Sequence, residues 1–347
     1  MLARPSTLLW SSSRRAFSTT TWRALRHRPG RGGDTKFGRY ERLVPRSLVP
    51  QRNLPLAYEV PRTIPYPPYA TTTTADMTSL NQNDTSSPAA PVDPLNDPSQ
   101  EVLYTSPTDL HRLRRAGRLA ARTLRFIAPF VKPGVTTAHL DQLIYQYIIG
   151  NQAYPSPLGY HGFPRACCTS VNNVMAHGIP DDRPLQDGDI INIDITVFTE
   201  GFHGDTSKTF LVGQVDSAGQ HLVQVTQDAL HQAIAVCKPG APLYCIGETI
   251  ERYARQHGLR VAELLAGHGI GRDFHTYPAI LHHVNDSPGI MKPGMVFTIE
   301  PALCQGETEG ILWPDRWTVA TSDGGRSAQS EHTILITSSG CDILTLS

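Results

Sequence analysis

The chain has 347 residues, 39% of them hydrophobic, and its 31 Lys and Arg balance 31 Asp and Glu. That is material for one large domain or two ordinary ones with a sizeable core. A balanced charge gives no general electrostatic attraction to nucleic acid or to a membrane surface, so neither is expected as a partner.

The first feature along the chain is a charge asymmetry. Arg4, Arg14, Arg15, Arg23, Arg26, Arg28 and Arg31 all precede the first acidic residue, Asp34, among many Ser and Thr. This is the composition of an organellar import signal, so residues 1–33 read as a transit peptide with the mitochondrial matrix as expected destination. The apolar run Leu8 to Trp10 is too short to cross a bilayer. Residues 34–106 are rich in Pro, Thr, Ser and Asn without a lasting apolar period and read as disordered linker. Met77 inside that stretch offers a second start, which would omit the import signal and give a cytosolic form.

Residues 107–347 carry the pattern of a globular domain. Helical periodicity runs from Asp109 to Phe130, with Thr108 as candidate cap, and returns over Leu140–Ile149, Val223–Val236 and Ile246–Gln256. The domain also repeats itself. VKPGVTTAHLDQLIYQYI starts at Val131 and aligns with CKPGAPLYCIGETIERYA from Cys237, while DGDIINID ends at Asp194 and aligns with PGMVFTIE ending at Glu300. Both shifts are 106 residues (237 − 131 and 300 − 194), so two related halves are expected, each a helix pair followed by strands. Six cysteines form no CxxC pair, which argues against a structural zinc finger.

Within the first half, Ile191, Ile193, Ile195 and Val197 alternate with Asn192, Asp194 and Thr196, the pattern of a strand with one apolar and one polar face. If Glu200 and Gly201 form a two-residue turn, Thr196 faces Asp205 on the returning strand. Asp194 and Asp205 are then diagonal neighbours, close enough to share a cation. The second half adds Glu300 at the end of an apolar strand, Glu331 at the mouth of another and His268 between two glycines. Four carboxylates and one imidazole are a set of hard oxygen donors with one nitrogen. A pair of divalent cations would neutralise the four negative charges, and such a pair makes a hydrolytic site. Co, Mn, Fe and Zn all suit these donors.

The motifs NNVMAHGIPDD, NIDITV, GFHGDTSKTF, GHGIGRDFH, TIEPAL and SAQSEHT stand in an order and spacing that resembles the type I methionine aminopeptidases, over roughly Thr108 to Leu346. The resemblance implies an α+β pita-bread fold, two pseudosymmetric halves around a dinuclear metal site. It implies Asp194, Asp205, His268, Glu300 and Glu331 as metal ligands, with Asp205 and Glu331 bridging, and Glu300 as proton shuttle too. His177 is implied near the scissile amide and His275 on the substrate carbonyl. Tyr160, Phe163, Cys168, Phe274 and Trp317 would line a slot for an unbranched thioether side chain, and His161 would stand near the entrance. The activity implied is removal of initiator methionine before a small second residue, with N-termini of newly made polypeptides as partners and the enzyme a monomer. Ser330 departs from the family pattern, which has an aromatic residue before the last Glu. Two alternatives share the fold: an X-prolyl aminopeptidase or prolidase, and a binding module that has lost catalysis.

Overall fold

The computed structural model of the protein describes residues 33–46, 54–71 and 94–346. A short antiparallel pair, β1 (Gly33–Thr35) and β2 (Gly38–Tyr40), and one helical turn, α1 (Pro68–Thr71), come first. The first half of the domain follows: α2 (Pro107–Ile127), α3 (Thr137–Gly150), β3 (Tyr154–Pro155), β4 (Cys168–Val171), β5 (Val174–Ala176), β6 (Ile190–Thr199) and β7 (Phe202–Leu211). The second half begins with α4 (Ser217–Ala235), α5 (Tyr244–Gln256), β8 (Arg260–Val261), β9 (Ala266–Gly269), β10 (Thr276–Leu281) and β11 (Val296–Ile299). It closes with β12 (Ala302–Cys304), β13 (Gly310–Leu312), β14 (Val319–Thr321), β15 (Ser327–Gln329), β16 (His332–Ile336) and β17 (Cys341–Ile343).

Helix starts follow their caps. Pro107 takes the first position of α2, where its fixed φ suits the helix and its missing N–H costs nothing, so Thr108 lies inside the first turn and not at the cap. The Thr136 side chain caps α3 by accepting from the N–H of His139. Asp216 caps α4 by accepting from the N–H of Gly219, which starts that helix at Ser217, six residues ahead of the expected Val223 (223 − 217).

Helices α2 and α3 cover the apolar face of β6, where Ile191, Ile193, Ile195 and Val197 are fully buried. Helices α4 and α5 cover Ile280, Phe297, Ile299 and Ile334 in the other half. Each half is therefore a helix pair on a sheet, the arrangement that the repeat predicts. β6 and β7 pair in the expected register, Thr199 with Phe202 and Thr196 with Asp205. Glu200 and Gly201 between them have φ of 52° and 84°, as a turn that keeps the strand twist requires. Gly204 on β7 is a close-approach glycine: a Cβ there would lie 2.4 Å from the backbone of Ala116 on α2. The polar face of β6 is thereby turned inward, with Asn192 and Thr196 buried.

Part of the stretch that composition reads as linker packs on the domain. Tyr40, Val60, Ile64 and Tyr104 are buried, and Tyr58 stacks on Tyr145 with ring centroids 4.1 Å apart. Val60 and Ile64 cluster with Tyr154, Leu158 and Phe198 of the domain, contacts that no apolar period in the segment marks. Residues 1–32, Met77 and the rest of 72–93 lie outside the described residues.

Candidate active site

Asp194 on β6 and Asp205 on β7 share one face, and the other half brings Glu331 to them. The N–H of Glu331 donates to the carbonyl of Ser207 at 3.0 Å, and the Thr206 hydroxyl donates to the carbonyl of Glu331 at 2.8 Å. The Thr333 hydroxyl donates to the carbonyl of Asp205 at 2.7 Å. These bonds stitch β7 to the start of β16, and they leave ligand atoms of Asp194, Asp205 and Glu331 all within 4.8 Å of one another. Ser330 is buried in the same seam, bridged to Lys208.

His268 comes from β9, which is squeezed between neighbours. A Cβ at Gly267 would lie 2.3 Å from the Thr298 carbonyl oxygen, and one at Gly269 would lie 2.1 Å from that of Tyr277. Only glycine lets the strand pass, and the imidazole then reaches the cluster, Nε2 lying 3.6 Å from Glu300 Oε1 and 3.8 Å from Asp205 Oδ2.

Burial pushes the carboxyls of Asp194, Asp205, Glu300 and Glu331 upward, and for the last three neighbouring carboxylates push the same way. Among the described residues no Lys or Arg side chain forms an ion pair with any of them; the imidazole of His268 lies beside Asp205 and Glu300. Burial holds His268 down at about 4, so its ring is neutral and free to ligate. Four acidic side chains, a neutral imidazole and no resident countercharge fit divalent cations, which would be held by Asp194, Asp205, His268, Glu300 and Glu331.

The cavity that these five residues border is also bordered by Tyr160, Phe163, Cys168, His177, Phe274, His275 and Trp317. Phe163 meets Trp317 edge to face at 5.1 Å, and Tyr160 meets Phe274 at 4.8 Å. Cys168 pairs with Asp194 across the β4–β6 ladder, which places it between slot and carboxylates. His275 Nδ1 lies 2.9 Å from the Tyr160 hydroxyl, and burial lowers the pKa of its ring well below the ordinary value. His177 is held at about 4 by burial, and its ring stands edge-on to Trp317 at 6.5 Å. His161 is exposed at φ 46°, one residue beyond Tyr160.

Several supports were not singled out in the sequence. The Thr298 hydroxyl donates to Glu300 Oε1 at 2.8 Å, and Gln329 Nε2 donates to Oε2 at 3.2 Å. The N–H of Glu300 donates to Nε2 of His282, a fully buried ring, at 3.1 Å. His203 is buried behind the slot, its Nδ1 2.8 Å from Ser156 Oγ and its ring stacked on Phe274 at 5.2 Å. Thr298 two residues before Glu300 was a legible signal, because strand alternation puts both on one face. His282 carried none, since it approaches through the backbone of another strand. Leu95, from the presumed linker, borders the cavity as well.

Comparisons agree with this geometry. Residues 111–338 match metallopeptidase family M24. The chain is 45% identical over 307 residues to the mitochondrial methionine aminopeptidase 1D of Homo sapiens, covering 88% of this chain and 86% of that one. It is 52% identical over 251 residues to the chloroplastic methionine aminopeptidase 1B of Arabidopsis thaliana, covering 72% and 68% respectively. The crystal structure of methionine aminopeptidase from Rickettsia prowazekii superposes with a TM-score of 0.69 at 46% identity, over 71% of this chain and all of that one. With the pita-bread halves and their identity to these enzymes taken together, the chain belongs to metallopeptidase family M24, in its methionine aminopeptidase branch.

Proposed function

We propose that the cavity between the two halves is where this methionine aminopeptidase hydrolyses the first peptide bond of newly made polypeptides that begin with methionine and continue with a small residue. The observation that carries this reading is the meeting, in one cavity, of the carboxylate and imidazole cluster with an aromatic slot. Asp194, Asp205, His268, Glu300 and Glu331 would hold the divalent ions, which would supply Lewis acidity and lower the pKa of water. Glu300 takes the proton of the attacking water and passes it to the leaving amine, its carboxylate oriented by Thr298 and Gln329. His275 donates a hydrogen bond to the oxygen that becomes negative in the transition state, the Tyr160 hydroxyl on Nδ1 fixing the ring. His177 stands beside the scissile amide. Phe163, Phe274, Trp317, Tyr160 and Cys168 exclude water and receive the unbranched thioether, which packs well against aromatic edges.

The catalytic domain spans residues 107–347, preceded by a segment that docks on it and, at residues 1–33, by an organellar import signal. The organelle-targeted names of the relatives and the arginine-rich composition support that address, with the mitochondrial matrix as destination. Among the described residues no helix is long and apolar enough to cross a membrane. A peptide panel tests the activity. Release of methionine from Met-Ala-Ser, weak release from Met-Leu-Ser and none of alanine from Ala-Pro is the expected result; cleavage of Ala-Pro without Met-Ala-Ser would overturn it.

A further inference from the structure

The slot wall is not built by the catalytic domain alone. Tyr160, which reaches His275 through its hydroxyl, opens a single turn, Tyr160–Gly162, whose next two residues are exposed and whose His161 sits at a left-handed φ of 46°. Phe274 and His275 contact the Tyr160 ring at centroid distances of 4.8 and 5.1 Å. A further contact to that ring comes from the segment 54–71. Tyr69 meets Tyr160 edge to face, with centroids 4.9 Å apart and planes at 74°.

Tyr69 is itself held from two directions. Its hydroxyl donates to the carbonyl of Ser156 at 2.6 Å, and its ring lies parallel to that of His203 at 6.2 Å. The Ser156 hydroxyl bonds His203 Nδ1 at 2.8 Å, so the backing is a connected unit. The segment that carries Tyr69 is fastened along its length. The N–H of Ala57 donates to the carbonyl of Pro164, Tyr145 donates to the carbonyl of Glu59, and Val60 and Ile64 are buried against Tyr154, Leu158 and Phe198. We propose that Tyr69 is a positioning residue for the methionine slot: it fixes the slot wall at Tyr160, so substrate affinity depends on chain that precedes the catalytic domain. This rests on the functional reading above.

The test is a double-mutant cycle in the full chain, read as KM and kcat for Met-Ala-Ser. Tyr69→Leu keeps apolar bulk and loses the aromatic edge; KM should rise roughly fivefold, the size of one edge-to-face contact, with kcat within about twofold. Tyr69→Phe keeps the ring and should restore most of the affinity. In a Tyr160→Leu background the same Tyr69→Leu change should move KM by less than about twofold, because its target is gone. An unchanged KM in folded Tyr69→Leu, or an equal rise in both backgrounds, overturns the proposal. Should Tyr69→Leu not fold, Tyr69→Met is judged by the same criteria. Failure of the parent protein to cleave Met-Ala-Ser would instead overturn the functional reading.

Discussion

Replacing Asp205 with Asn removes one of four clustered carboxylates and keeps the shape of the side chain. In protein stripped of metal this change should stabilise the fold. Asp205 has a ligand oxygen within 4.8 Å of those of Asp194 and Glu331, and one pair of like charges at that distance costs about 3.5 kcal/mol at an effective dielectric of about 20. Protonation of the buried carboxyls relieves part of this, so a gain of roughly 1–3 kcal/mol is expected. The Thr196 hydroxyl, 2.7 Å from Asp205 Oδ1, can still donate to the amide oxygen, so no polar group is orphaned. Urea denaturation in EDTA measures the difference. The pH dependence gives a second reading. Carboxyls raised by burial bind protons that the unfolded chain has released, so the stability of the stripped parent falls as pH rises from about 4 through their raised values, and Asp205→Asn flattens that slope. With saturating Mn(II) the order should reverse, because the variant lacks a ligand. A stripped variant less stable than the stripped parent would refute the claim that the cluster is assembled against its own repulsion.

Other perturbations test other parts. Arg326 is fully buried, bonded to Asp216 at 2.7 Å and stacked on Tyr40 at 4.6 Å; Asp216→Ala strands that cation and uncaps α4, and should cost about 3–4 kcal/mol in thermal or urea unfolding. Burial raises the Asp216 carboxyl, but bonds from Arg326, Gly219 and Arg39 outweigh it and hold it below the ordinary range; its stabilisation is therefore full above about pH 4 and lost as pH falls through the lowered value, which acid titration of parent and variant checks. Gly267→Ala forces β9 off the Thr298 carbonyl and should cut metal affinity by about tenfold or more through displacement of His268, read by competitive chelation. His282→Ala leaves the N–H of Glu300 without its acceptor; kcat should fall about tenfold with metal stoichiometry unchanged, and an unchanged kcat would show that His282 does not orient Glu300.

The hairpin of β6 and β7 was legible because its period, its turn and its register are all local: Glu200 and Gly201 fix the turn, and Thr196 must then face Asp205. The pairing of halves was legible because the repeat carries it, and the family motifs named residues that the structure brings to a single cavity. What composition hid was the docking of residues 36–46, 54–71 and 94–106. Tyr40, Ile64 and Tyr69 sit singly among prolines and polar residues, and each finds its partner nearly a hundred residues or more away, at Arg326, Tyr154 or Tyr160, where no pattern reaches. The exact start of α2 was missed for a local reason, since a proline at the first position outweighs a threonine cap one residue later.

Hydrolysis is expected to depend on cations held by Asp194, Asp205, His268, Glu300 and Glu331. Metal-stripped protein titrated with Co(II) or Mn(II), with bound metal and methionine release from Met-Ala-Ser measured on the same samples, tests it most directly. The stripped enzyme should be silent, activity should rise in step with occupancy, and Asp205→Asn should show neither occupancy nor activity. Full hydrolysis by the stripped parent, or by metal-treated Asp205→Asn, would contradict it.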